Sequence, residues 1–314
     1  MVADMSRWHT HTPVLAEPTA ELLITDPEGI YVDATLGGAG HTLEILSRVG
    51  EHAHIYGIDQ DRQALNAAVE RVGDENRFTP VEGNFGYLST LLPPEVKGHI
   101  SGILLDLGVS THQIRDPERG FSFQAEGPLD MRMSDLTGLS AWKVVNEYTY
   151  EKLRDIIFHY GEERNSRRIA SAIIERRPLE TTADLRSAVE EVVRGPHAVK
   201  SLARVFQAIR IEVNRELEML RSALDESLAL LRPGGRIAAI SYHSLEDRIV
   251  KTFFRSGNHE GRVEKDFYGN DLVAIEPVNR QVIRPDAEEV AENPASRSAK
   301  LRVAQKKQKS EETS

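Results

Sequence analysis

The chain has 314 residues, of which 40% are hydrophobic and 28% charged. Such a composition suits one large globular domain or two ordinary ones, and excludes collagen-like, coiled-coil-only and wholly disordered chains. With 39 Lys and Arg against 49 Asp and Glu, the formal charge is −10, so the protein is not a general nucleic-acid coat.

Residues 1–12 are polar, with His9 and His11 too isolated to form a metal site, and no signal peptide is evident. The longest apolar runs, such as 102–105, are far short of the roughly 20 residues of a membrane span. A cytoplasmic protein without membrane contact is expected. Residues 29–33 read as a short strand ending in Asp33. A glycine-rich turn follows, Leu36-Gly-Gly-Ala-Gly40, then an apolar-periodic segment over 42–49. Residues 54–59 form a second strand, ending in Asp59, and 61–72 read as a helix with Leu65, Ala68 and Val69 on one face. Strands at 78–82 and 100–107 complete an alternating pattern that predicts an α/β fold with a mostly parallel sheet covered on both sides.

The next strand of this type is 235–241, after Arg232-Pro-Gly-Gly235. Roughly 125 residues separate it from Asp106, where a parallel crossover needs only about a dozen. The surplus predicts an inserted helical subdomain, with helices over 142–160, 164–177, 182–193 and 201–231. The last has apolar residues every three or four positions and leads back to the sheet. Residues 255–270 read as a polar loop and 300–303 as a last strand. Residues 110–215 hold 17 Lys and Arg against 16 Asp and Glu, whereas the rest holds 22 against 33. Any RNA binding therefore falls to local basic patches.

Several residue groups can carry chemistry. A glycine-rich turn between strand and helix lets a ligand approach the backbone and aims N–H groups at it. Asp59, at the end of the next strand, can accept hydrogen bonds from a ribose diol. The third glycine of the dinucleotide pattern is missing, and Asp33 precedes the turn. This suits an adenosyl cofactor better than NAD and resembles the first motif of S-adenosylmethionine (SAM) methyltransferases; the plain alternative is an ordinary turn. Asp106 ends the fourth strand, where ligands of open α/β sheets bind, although a turn or cap acid would look the same. Arg119, Phe121, Phe123 and Arg132 could stack a base and hold phosphates, or the phenylalanines could pin their own loop. Arg164 and Arg168 share a helix face that could track an RNA backbone or be merely solvated. The same choice applies to Arg297, Lys300, Arg302, Lys306, Lys307 and Lys309. Tyr242 and His243, after the fifth strand, could line a target pocket, while Ser244 with Glu246 and Asp247 also makes a plain helix start. No spacing for a metal site is present.

Nine ordered blocks go further: those at 11–15, 33–42, 106–110, 118–123, 127–133, 160–164, 206–210, 231–235 and 241–250. Through them the chain resembles the bacterial RsmH (MraW) family of 16S ribosomal RNA cytosine-N4 methyltransferases, from about residue 9 to about 304. The resemblance implies a class I SAM-dependent methyltransferase, Rossmann-like, with an inserted helical subdomain. The implied SAM-binding domain is discontinuous, 9–110 and 216–304. The insert, 111–215, recognises substrate, and 305–314 is a disordered tail. It further implies methyl transfer to a cytidine in the decoding region, in small-subunit ribosomal RNA or the assembled small ribosomal subunit. The family's Gly-Gly-His falls on Ala39, Gly40 and His41. The ribose acid is Asp59, the adenine aromatic Phe85, and Asp106 and Gln113 are further cofactor contacts. The oligomeric state stays open, a homodimer included.

The chemistry agrees with this. Methylating carbon 5 of cytosine normally uses a Cys nucleophile, and this chain has no cysteine. Methylating N4 needs no nucleophilic residue; an acceptor against N4–H, with good alignment, can supply most of the rate. Asp106 is the candidate catalytic acceptor. The chain lacks the Asp/Asn-Pro-Pro-aromatic motif of many amino-methyltransferases, so that motif's backbone carbonyls are not assumed here. The alternatives are a class I methyltransferase on a non-RNA substrate, or a non-catalytic ribosome assembly factor.

Overall fold

The computed structural model describes residues 13–134, 138–269 and 271–308. His9, His11 and Lys309, and with them the start of the 11–15 block, lie outside the described residues. The chain forms two compact units, 1–108 with 217–314, and 109–216.

The first unit opens with α1 (Ala16–Leu23), β1 (Ile30–Asp33), α2 (Gly40–Leu46), β2 (His54–Asp59), α3 (Arg62–Val72), β3 (Phe78–Glu82), α4 (Leu88–Leu91) and β4 (Ile100–Asp106). The second unit holds α5 (Thr111–Arg115), α6 (Ala141–Glu147), α7 (Tyr150–His159), α8 (Ser166–Glu175), α9 (Thr182–Val192) and α10 (Ala198–Asn214). The chain completes the first unit with α11 (Glu216–Leu230), β5 (Leu231–Ser241), α12 (Ser244–Ser256), β6 (Ile275–Pro277), α13 (Ala287–Glu292) and β7 (Lys300–Lys306).

The sheet order is β3-β2-β1-β4-β5-β7-β6. Strands β3 to β5 pair in parallel, and β7 pairs antiparallel with both β5 and β6. The order reverses between β1 and β4, which puts the switch point beside the carboxyl ends of those strands. Strand alternation divides the core. Val32, Ile58, Ile103 and Leu105 meet Leu220, Leu224, Ile249 and Phe253 on one face. Tyr31, Ile55 and Leu104 meet Leu23 and Ile45 on the other. Each such fully buried aliphatic side chain contributes about 1.5–3 kcal/mol. This explains why β4, buried on both faces, is almost continuously apolar.

The helical unit has its own core, in which Val144, Leu153, Ile157, Ile173, Val189 and Ile209 are buried together. The predicted helix over 142–160 is two helices, because Tyr148 turns extended and the Thr149 side chain caps α7. The predicted helix over 201–231 is also two. Arg215, at φ 52, breaks it in the left-handed region, while the apolar spacing runs on through the break. Within the residues expected as tail, β7 runs to Lys306, and the Lys307 N–H donates to the Ala274 carbonyl at 2.9 Å. No helix among the described residues is long and apolar enough to cross a membrane.

Candidate active site

Three strands of the first unit end in an aspartate: Asp33 on β1, Asp59 on β2 and Asp106 on β4. Asp33 is buried. Its carboxylate accepts the Thr42 hydroxyl at 2.8 Å and the Thr35 N–H at 3.3 Å, fastening both ends of the glycine-rich turn. Asp59 accepts the Gly37 N–H and the Asp61 N–H, each at 2.8 Å. Asp61 in turn caps α3 through the Gln63 N–H. Arg71 donates to the Gly38 carbonyl at 2.7 Å and closes the turn from outside.

The turn itself uses unusual backbone. Gly37 has φ 49 and Ala39 has φ 59. Ala39 is fully buried at the start of α2. The left-handed conformation costs a residue with a Cβ about 1–2 kcal/mol, a cost that a glycine there would avoid. Gly40 is tight for another reason: a Cβ would stand 3.0 Å from Pro13.

Asp106 is held from both neighbouring strands. Its N–H donates to the Thr35 hydroxyl at 2.6 Å, and its Oδ1 accepts the Tyr242 hydroxyl at 3.0 Å. Oδ2 lies 3.5 Å from Nε2 of His41, near enough for attraction between charges but longer than an ordinary hydrogen bond. His41 is buried, and this Nε2 has no hydrogen-bond partner among the described residues.

The charges at this edge strain against one another. Burial raises the Asp33 carboxyl against the pull of His41 and Thr42, and the Asp106 charge adds to the rise. Burial pushes Asp59 up to about 6 despite its two N–H donors, with Asp61 and Asp33 adding to the effect. Burial lowers the His41 imidazole, but Asp106 and Asp33 outweigh it and leave it raised. Mutually repelling carboxylates are the surroundings a cationic ligand relieves. S-adenosylmethionine, with its sulfonium and ammonium, fits that requirement. Phe85 follows β3 with part of its ring exposed. Its loop is tied back by Asn84, which donates to Gln60 at 2.7 Å and accepts the Gly86 N–H.

The structure thus brings together Ala39, Gly40, His41, Asp59, Asp106 and Tyr242. Three residues beyond the predicted set belong with them: Thr35, Asp33 and Glu246. Buried Glu246 accepts the Tyr242 and His243 N–H groups at 2.9 and 3.3 Å. Its sequence signal is the acid three residues after His243. That histidine, rather than Ser244, caps α12, with Nε2 3.0 Å from Glu246 Oε1. His243 is therefore a helix cap before it is anything else.

The helical unit treats its predicted residues differently. Gln113 is buried and forms a capping box with Ser110 at the start of α5. Phe121 is 9% exposed within the helical core. Phe123 meets Phe206 edge-on, with centroids 5.5 Å apart. Phe121 is thus enclosed, whereas Phe123 is half-buried against the same core. Arg119 donates to the Arg132 carbonyl at 3.0 Å, and Arg132 forks onto Asp130 at 2.6 and 2.8 Å. Arg164 and Arg168 are exposed. Arg168 borders a groove of about 380 Å³ with Tyr150, Arg167, Ser171, Glu175 and Glu191. Among the tail bases, Lys300 and Arg302 are fixed on Asp247 at 2.9 and 2.7 Å.

Comparison with known proteins finds relatives over nearly the whole chain. The model of the MraW methylase family matches residues 8–307. Ribosomal RNA small subunit methyltransferase H of Phocaeicola vulgatus is 47% identical over 300 residues, covering 95% of this chain and 97% of the relative. The protein of the same name from Bacteroides fragilis is 45% identical over the same shares. An rRNA methylase structure from Streptococcus thermophilus aligns with a TM-score of 0.39 at 15% identity, covering 93% of this chain and 94% of that one.

Proposed function

The chain belongs to the MraW methylase family, and on that premise we propose that it transfers a methyl group from SAM to the exocyclic N4 of a cytidine in small-subunit ribosomal RNA. The observation that carries the chemistry is Asp106, held at the switch point beside the glycine-rich turn by Thr35 and Tyr242. Bound at that edge, SAM supplies an electrophilic methyl on a cationic sulfur and leaves as S-adenosylhomocysteine. The residues supply position and charge. Asp59 would hold the ribose, Phe85 would meet the adenine, and the backbone of Ala39, Gly40 and His41 would hold the cofactor, with Gln113 as a further contact. Asp106 accepts an N4–H, which localises the nitrogen lone pair toward the methyl group, and it receives the proton that N4 sheds as the new C–N bond forms.

In this reading the sheet unit takes the cofactor and the helical unit takes the RNA, as naked RNA or as an assembled small subunit in the cytoplasm. The exposed Arg164, Arg167 and Arg168 support that division. The test is to incubate the protein with labelled SAM and small subunits lacking the modification, then digest the RNA to nucleosides. Label in N4-methylcytidine is expected. Label in another nucleoside, or none on an intact substrate, overturns the assignment.

A further inference from the structure

We infer that Tyr242 is the positioning residue of this transfer: its hydroxyl fixes the Asp106 carboxylate through Oδ1 and leaves Oδ2 to take the cytosine N4–H. The inference rests on the function proposed above and assigns Tyr242 to Asp106 rather than to the base. The 3.0 Å bond from the Tyr242 hydroxyl engages Oδ1. The Asp106 main chain is fixed separately, by its N–H on Thr35. Among the described residues, Oδ2 keeps only the 3.5 Å approach of His41. One side chain thus sets the rotation of the carboxylate, and so the direction in which its second oxygen points.

Tyr242 is itself held firmly. Its N–H is bound by buried Glu246, and its ring packs against the cluster that contains Leu104 and Ile240. Gly108 passes the ring at φ 106, where a Cβ would lie 3.6 Å from Cδ2. The charged groups facing the phenol are Asp106, Glu246 and Glu289. All are acidic, and together with burial they hold its ionisation well above the ordinary range. The hydroxyl therefore remains a donor at every pH at which the protein works. Phenylalanine would keep every apolar contact and lose only that donor.

The test uses the full chain, labelled SAM and unmodified small subunits, with Tyr242→Phe, Asp106→Ala and the double variant. Losing a hydrogen bond to a charged group predicts a fall of about 10- to 100-fold in kcat. KM for the subunit and calorimetric SAM affinity should stay within about twofold, because the hydroxyl acts on the aligned complex. In the Asp106→Ala background, the residual label incorporation should fall no further when Tyr242→Phe is added. Full turnover by Tyr242→Phe, or a loss that adds to that of Asp106→Ala, overturns the inference. A wild-type protein that makes no N4-methylcytidine would instead sink the function on which it rests.

Discussion

The sheet unit and the helical unit use charged side chains in opposite ways. At the sheet edge the strand-end aspartates are buried or half-buried, each fixed by backbone N–H or hydroxyl donors, and they oppose one another electrostatically. In the helical unit the charged groups are either spent within the fold, as Arg119 and Arg132 are, or left exposed, as Arg164, Arg167 and Arg168 are. The first arrangement suits a small cation that must be held in one orientation, since pre-set dipoles cost no reorganisation on binding. The second suits a long polyanion that tolerates variation in each contact. The aromatics differ as well: Phe85 is half-buried against the sheet core, whereas Phe121 lies within the helical core.

The largest effect expected from this contrast concerns Phe121. If its ring is core, Phe121→Ala costs about 3–5 kcal/mol of stability, read as a fall in the melting temperature and a lower denaturant midpoint. Phe121→Leu, which keeps most of the volume, should restore most of that stability and leave RNA methylation near normal. A Phe121→Leu protein that is stable but no longer binds subunits would return the ring to a stacking role and erase this side of the comparison.

The same contrast explains what was legible in the sequence. Asp59 and Asp106 could be read because a parallel strand ends where its apolar run ends, and an acid at that point has few other places to be. The mostly parallel sheet and the helical insert were legible for the same reason: runs of Ile, Leu and Val separated by helical spacing, with too many residues between two strands. Phe121 and Phe123 were not, because alternating Arg and Phe looks identical in a stacking site and in a loop that folds onto its own aromatics. Thr35 carried no local signal of its partner, and Glu246 none beyond that of a helix-start acid. Thr35 meets Asp106 71 residues away in the chain, and Glu246 reads as a helix-start acid, which it also is. The break at Arg215 was hidden because a left-handed residue leaves the apolar period on both sides intact.

A middle-sized effect tests the strained acids. The Asp59 carboxyl is raised to about 6 by burial, above its ordinary value in the unfolded chain. The fold therefore favours its protonated form. That contribution is fully present below about pH 4 and is lost as pH rises through about 6. At pH 7.5 the ionised group costs the cofactor-free protein about 1–3 kcal/mol. Asp59→Asn should accordingly raise the melting temperature by several degrees at pH 7.5 and bring no such gain at pH 4. The same change should weaken SAM binding about 10-fold by calorimetry, because hydrogen bonds to a charged acceptor are the stronger ones. A melting temperature that shifts equally at both pH values would mean that Asp59 is not strained by burial. An unchanged SAM affinity would remove it from the cofactor site.

The smallest effect lies on the helical unit and shows in salt dependence more than in affinity. Arg167 and Arg168 are exposed, with no ion-pair partner among the described residues, whereas Glu191 in the same groove is neutralised by Arg176 at 2.8 Å. A guanidinium that contacts a phosphate releases a counterion, and each such contact adds about 0.7–0.9 to the slope of log affinity against log salt. Arg167→Ala and Arg168→Ala should each weaken subunit binding only a few-fold at physiological salt, while lowering that slope by nearly one. SAM affinity should not move, since these residues belong to the other way of using charge. A weaker affinity with an unchanged slope would mean that the groove meets a protein or a base edge rather than a phosphate. The helical unit would then have to find its grip on the polyanion through Arg164 or another exposed base.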